Sequence, residues 1–348
     1  MIFRVDSTTK GSMISANLIS GVLMYHHKEM EILREKPVGA IELSWIFHGN
    51  GNKLWHQFYH YPEYGLSYVF MDLGSPTILG YSHGLLPFVN FPVTPFNHKL
   101  SAGFRVGGGI SYITKKYHRT ENFKNSAIST HINALVSFNL EGRYNITNDL
   151  SARLGFHLTH LSNGTIKKPN AGLNYPMISL GLAYCYKNQK ISNENRLKFV
   201  DRQNRFQFFG YGSYKEAKGA GGPKYGVGAI SMEYSRPIKT LWRYGIALDL
   251  MYDESSAFIM EYKEIPYDTK WQTVSSGVTI NTEIMLDRLS AVVHFGKYIQ
   301  NPSREGGALY QRIGLRYRFV NRFWMHLALK THWGSADYIE FGLGYKIY

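Results

Sequence analysis

Apolar and polar residues alternate with a period of two along most of this chain, in stretches of about ten residues separated by turn-forming residues. The clearest stretch carries Ile132, Ala134, Val136, Phe138 and Leu140 on one parity and Asn133, Ser137, Asn139 and Glu141 on the other. Successive side chains of a strand point to opposite faces, so one face of this segment is apolar and the other polar. The same alternation sets Leu154, Phe156 and Leu158 against Arg153, His157 and Thr159, and runs through Ile178, Leu180, Leu182, Tyr184 and Tyr186. At the end of the chain Phe341, Leu343, Tyr345 and Ile347 alternate with Gly342, Gly344 and Lys346. A chain that finishes in such an aromatic strand resembles the assembly signal of outer-membrane proteins, which implies the barrel assembly machinery as a partner during biogenesis.

Stretches of this kind number about sixteen, or about fourteen if those near residues 41–72 and 271–296 merge. No run of about eighteen apolar residues exists, so a helical membrane span is excluded. Strands with one apolar and one polar face are what a transmembrane antiparallel β-barrel requires, and an even strand number is expected. The fold class predicted is all-β, with one barrel of about 14 to 16 strands as the simpler expectation. Two tandem eight-stranded barrels are the alternative. It arises because LGLAYCY, just before the polar stretch 188–204, looks like a closing strand in the way GLGYKIY does at the end. The corresponding division is a first half over 1–187, a polar linker over 188–204 and a second half over 205–348.

Connection lengths support a barrel independently. The tight turns Val320 to Arg322, Asp287 to Arg288, Arg236 to Thr240 and Asn145 to Asp149 fall on one side. The longer segments 253–270, 298–308, 216–223, 117–128 and 163–173 fall on the other. Barrels of this type have short periplasmic turns and long external loops, so the second side is external. Segments 49–62 and 188–204 depart from the rule, being long yet periplasmic by parity.

Composition adds less. Tyr (26), Phe (20) and Gly (34) are abundant and 18% of residues are charged, which suits a barrel, although a large soluble β-sandwich would share the strands and turns. The net charge of +14 would suit nucleic acid, but Lys and Arg are dispersed without a concentrated basic run. Phosphorylated lipid is an equally natural partner, and no nucleic-acid partner is expected. Cys185 is the sole cysteine, which excludes an intrachain disulfide. The start, MIFRVDSTTKGSMIS, lacks a charged region followed by an apolar one. Since a barrel must cross the inner membrane, the chain is read as mature or as starting from too late a start codon.

Chemistry concentrates in HLTHLSNGTIKKPNAGLNYP, residues 157–176. Here a strand ends in His160, Leu161, Ser162, Asn163 and Gly164, and a loop rich in Pro, Asn and Gly returns to the next strand. His160 and Ser162 are two apart and share a face. They continue the apolar series Ala152, Leu154, Phe156, Leu158, so the pair is expected to face lipid. Asn174 keeps register with Pro176, Ile178 and Leu180 and joins them. Polar side chains on a lipid-facing wall are costly unless paired, which marks them as functional candidates. A bland reading also exists, in which strand ends at headgroup level are simply polar.

The run His160-Leu161-Ser162-Asn163-Gly164 followed by Pro169-Asn170-Ala171-Gly172 resembles the active-site segment of the PagL family of outer-membrane lipid A 3-O-deacylases. The resemblance covers roughly residues 14 to 187 and is strongest over 157–186. It implies an eight-stranded barrel with a His-Ser-Glu triad on its outer wall, removing an ester-linked acyl chain from lipopolysaccharide in the outer membrane of a Gram-negative bacterium, with the site toward the outer leaflet. Position by position, Ser162 matches the nucleophile, His160 the general base and Asn170 a residue near the oxyanion, with Asn163 and Gly164 as further candidates there. The acid departs: where the pattern has Glu, this chain has Asn174, whose amide can orient an imidazole but cannot stabilise imidazolium by charge. Gly164 also lies one residue before the family's oxyanion glycine. Lys167 and Lys168 are expected to hold lipid A phosphates or core sugars, and neither metal nor cofactor is expected.

Three other strings carry less. Tyr25-His26-His27-Lys28-Glu29 reads as the start of an external loop rather than a metal site, because adjacent strand residues point to opposite faces. Residues 55 to 61, WHQFYHY, read as an interfacial aromatic girdle. Gly107, Gly108 and Gly109 sit within a strand pattern and suggest close strand packing rather than a phosphate loop. Three functions therefore stand at this point: a lipid A esterase, a catalytically inactive lipid-binding barrel and a passive pore.

Overall fold

The computed structural model describes residues 8–192, 203–217 and 219–347. Among these residues sixteen strands form two closed antiparallel barrels of eight strands each. The first comprises β1 (Thr8–Gly21), β2 (Val38–His48), β3 (Glu63–Asp72), β4 (Tyr81–Pro92), β5 (Leu100–Ile113), β6 (Ile132–Asn145), β7 (Leu150–Ser162) and β8 (Leu173–Lys190). It closes by pairing β1 with β8, Leu18 opposite Leu180. The second comprises β9 (Arg205–Glu216), β10 (Lys224–Lys239), β11 (Trp242–Asp253), β12 (Ser275–Leu286), β13 (Leu289–Gln300), β14 (Leu309–Val320), β15 (Phe323–His332) and β16 (Ser335–Lys346). It closes through β16 on β9, Leu343 opposite Gly210. The arrangement is the tandem alternative, and it replaces the expectation of one large barrel. The two strand pairs that threatened to merge are separate, at 38–48 and 63–72 and at 275–286 and 289–300. Most of the expected linker, residues 193–202, lies outside the described residues, and residues 188–190 belong to β8.

Each strand is inside-out relative to a soluble sheet. Leu154, Phe156 and Leu158 are exposed, as are Ile178, Leu180 and Leu182, while Arg153, His157, Thr159 and Ser179 between them are buried. An outward apolar band of this kind is consistent with the surface pattern of a transmembrane β-barrel.

The lumen of an eight-stranded barrel is just wide enough for side chains to fill it, and charges placed there must pair. In the first barrel Arg143 donates to both carboxylate oxygens of Glu63, at 2.8 and 2.6 Å, and to Glu141 at 3.1 Å. Arg153 donates to Glu141 at 3.2 Å, and Arg105 reaches Glu42 and Ser67. Toward one end this polar filling gives way to an apolar plug that includes Leu23, Met30 and Leu33 from loop 22–37, Ile128 from loop 114–131, and Leu161, Leu173 and Tyr175. The second barrel repeats the principle. Arg316 donates twice to Glu233, at 3.0 and 2.8 Å, and Arg312 bridges Glu340 and Asp249.

Connections also follow the expected asymmetry. β10–β11, β12–β13 and β14–β15 are joined by two residues each, and the long loops lie at the opposite end of the second barrel. In the first barrel segment 49–62 is long on the short-turn side because it folds into a helix, α1 (Leu54–Phe58). This corrects the girdle reading: Trp55 and His56 are buried, with their rings 5.3 and 5.8 Å from that of Tyr64. The triple glycine is strand packing, since a Cβ at Gly109 would lie 2.0 Å from the Leu85 carbonyl oxygen.

Candidate active site

Strands β7 and β8 meet at the plugged end of the first barrel, with Leu161 opposite Leu173 and His160 opposite Asn174. Both leucines enter the apolar plug inside the lumen. His160 and Asn174, of the other parity, therefore belong to the outer wall. Directly opposed strand residues have Cβ atoms about 5 Å apart, close enough for short polar side chains to touch. His160 Nδ1 lies 2.7 Å from Asn174 Oδ1. Ser162 follows two residues on at the end of β7, opposite Ala134 of β6, and is buried although its parity is outward.

An amide oxygen accepts, so across the 2.7 Å contact Nδ1–H is the donor, the Nδ1–H tautomer of the imidazole. Its Nε2 then carries the lone pair. That is the tautomer a general base for a hydroxyl requires.

Loop 163–172 is fastened at several points. The Asn163 backbone N–H donates to Asn170 Oδ1 at 2.9 Å, and Asn163 Nδ2 donates to Ser129 Oγ at 3.0 Å. Gly172 N–H donates to the Ala127 carbonyl at 3.2 Å. Two consequences follow for the expected oxyanion residues. The Asn163 backbone N–H is already engaged within the loop, and Asn170, with its oxygen committed, keeps Nδ2 as its donor. Gly164 has φ 61, a region that favours glycine. Lys167 and Lys168 fall in the segment Gly164–Lys168, which groups with the second compact unit.

Gly172 stands in the run that carries the family resemblance, but sequence reading assigned it no role. Its φ is +77, a region that favours glycine. A Cβ there would stand 2.9 Å from His160 Cε1, so the bare backbone forms a wall against the imidazole. Gly172→Val is expected to displace the ring and lower turnover roughly 10- to 100-fold with the barrel still folded. Kinetics alongside heat-modifiable gel mobility check this, and turnover like that of wild type would contradict it.

Loop 22–37 adds a second residue that sequence reading did not connect to the site. Beyond β1 the chain stays bonded to β8, with Met24 N–H donating to the Asn174 carbonyl at 2.9 Å. This brings His26 alongside, its Nδ1 3.5 Å from Asn174 Nδ2. The string 25–29 is thus a loop start, as read, but one of its histidines faces the candidate site.

Comparison with known proteins now bears on this geometry. Residues 39–183 match the family model of lipid A 3-O-deacylase (PagL), and residues 204–348 match that of acyloxyacyl hydrolase, C-terminal domain. No curated protein matches the chain. Among solved structures, a multiple mutant and a triple mutant of the Rhodopseudomonas blastica porin share 7% identity over 97% of this chain and 99% of theirs, with a TM-score of 0.19. A likeness that low carries no argument. The two family matches fall on the two barrels in turn and together span most of the sequence, and the chain is a PagL-like protein.

Proposed function

We propose that this protein is an outer-membrane serine esterase that removes an ester-linked acyl chain from lipid A, with Ser162 as nucleophile and His160 as base. The observation that carries this reading is the His160–Asn174 hydrogen bond on the outer wall of a PagL-matching barrel, two residues from Ser162. Ser162 Oγ attacks the acyl carbonyl while His160 Nε2 takes its proton and returns it to the departing sugar alkoxide. Water then attacks the acyl-enzyme by the same base. Asn170 Nδ2 and nearby backbone N–H groups supply donors to the tetrahedral oxyanion. Placing these groups on the outer wall suits a substrate whose acyl chains lie in the same leaflet, because the chain need not leave hydrocarbon to reach them.

Asn174 favours one competing reading, an inactive lipid-binding barrel. An amide orients His160 but offers no charge to the imidazolium that forms in the transition state. Asn174→Ala is therefore expected to lower kcat about tenfold, and Asn174→Glu to raise it about tenfold by favouring the protonated ring. Lipid A deacylation by refolded protein measures both. Inertness of both wild type and Asn174→Glu on several lipid A forms would hand the site to the inactive reading. A passive pore finds no support, because buried ion pairs fill both lumens.

Lys167 and Lys168 fit the same substrate through its phosphates. Attraction near a charged membrane surface is worth about 1 kcal/mol per basic residue, so replacing both with Ala is expected to weaken lipopolysaccharide binding about 30-fold at low salt. The difference should shrink as salt rises. Unchanged binding at low salt would count against the assignment.

A further inference from the structure

An amide in the acid position raises a problem that a carboxylate does not. A carboxylate accepts at both oxygens and can face an imidazole either way round, whereas an amide accepts at one end and donates at the other. Turned the wrong way, Asn174 would donate Nδ2–H to His160 Nδ1. The ring hydrogen would then sit on Nε2, and His160 could not take a proton from Ser162. Some neighbour must therefore choose the orientation.

Resting on the esterase reading above, we propose that His26 is a positioning residue: it accepts the Nδ2–H of Asn174 and so turns Oδ1 toward His160. Three features support this. The Asn174 Nδ2 to His26 Nδ1 contact is 3.5 Å, and the His160 Nδ1 to Asn174 Oδ1 contact at the other end of the same amide is 2.7 Å. The backbone holds the histidine there, through Val22 N–H to the Pro176 carbonyl at 3.3 Å and Met24 N–H to the Asn174 carbonyl at 2.9 Å. The third is the Ala171 backbone, which acts on the His26 ring in the sense that favours a donating nitrogen on that side. An imidazole that spends its N–H on a carbonyl presents a lone pair at its other nitrogen. The polarity then runs one way, from His160 through Asn174 to His26.

The charge state agrees with this order. Burial first, and next the neighbouring His27, hold the His26 imidazole below its ordinary pKa, against the raising effect of the Ala171 backbone. His27 in the same loop and His160 on β7 are the titratable groups acting on it, and both lower it. His26 is accordingly neutral at pH 7 and able to accept.

The test uses the full chain refolded in detergent, labelled with 15N-histidine, with lipid A as substrate. In wild type the His160 ring is expected to carry its hydrogen on Nδ1, and His26→Ala to move it toward a mixture of tautomers. kcat should fall roughly three- to tenfold, the effect of one lost hydrogen bond, with KM little changed. His26→Gln, which restores an acceptor oxygen, should recover part of the loss. In an Asn174→Asp background His26→Ala should change kcat by less than about twofold, because both carboxylate oxygens accept. An unaltered His160 tautomer in His26→Ala, or an equal loss of kcat in the Asn174→Asp background, would overturn the proposal. The tautomer measurement needs no turnover, so it judges His26 even in an inert protein. Failure of the esterase reading has a different signature: no acyl release by wild type, or release that survives Ser162→Ala.

Discussion

Replacing Ser162 with Ala is expected to lower acyl release from lipid A by roughly four orders of magnitude, leaving the barrel folded. The size follows from the role: removing a nucleophile removes the covalent route, and only binding and oxyanion donors remain to assist direct attack by water. Few other substitutions in the first barrel should cost so much activity at so little cost in stability. Ser162 ends β7 at the rim of the apolar plug, and the exchange deletes one oxygen without opening a cavity of any size. Its loss should be equally complete in the Asn174→Glu background. Purified wild type and variant, compared for fatty acid released and for heat-modifiable mobility, decide the matter. Retention of full activity by a folded Ser162→Ala protein would show that the nucleophile lies elsewhere.

The largest expected effect on stability lies in the lumen. Arg143→Ala would leave the buried Glu63 and Glu141 carboxylates facing each other with Arg153 as their remaining cation. Breaking a buried ion pair by removing one partner typically costs about 3–5 kcal/mol, because the desolvated charge left behind is uncompensated. Urea unfolding of the protein in lipid vesicles should therefore shift to markedly lower denaturant. Adding Glu63→Gln should recover a good part of the loss, since it removes the stranded charge. A variant as stable as wild type would mean that the lumen admits enough water to solvate these groups.

The strands and their inner and outer faces were legible because each is a local property. Alternation around Val136 and Leu158 fixes which side chains point out, and short turns such as Asp287–Arg288 mark one rim. Closure was less legible. Whether β8 pairs with β1 or with β9 depends on contacts such as Leu18 with Leu180, far apart in sequence, and period-two alternation reads the same in either case. For the same reason no pattern announced that Arg143 would meet Glu63, or that segment 49–62 would coil into α1 and bury Trp55.

The site divides along the same line. That His160 and Asn174 would stand opposite each other was legible because hairpin register is local and parity can be counted. The contribution of loop 22–37 was not, since the approach of His26 depends on β1 closing the barrel against β8. Gly172 fell between: its loop composition signalled a turn, but its contact with the His160 ring emerges only once the hairpin is folded.

The central claim, that this PagL-like barrel deacylates lipid A at Ser162, is tested most directly by mass spectrometry of lipid A from cells expressing the wild-type chain, the Ser162→Ala chain or neither. The account predicts a species lighter by one ester-linked acyl chain with wild type alone. Lipid A identical in all three, with the wild-type barrel folded in the outer membrane, would contradict it.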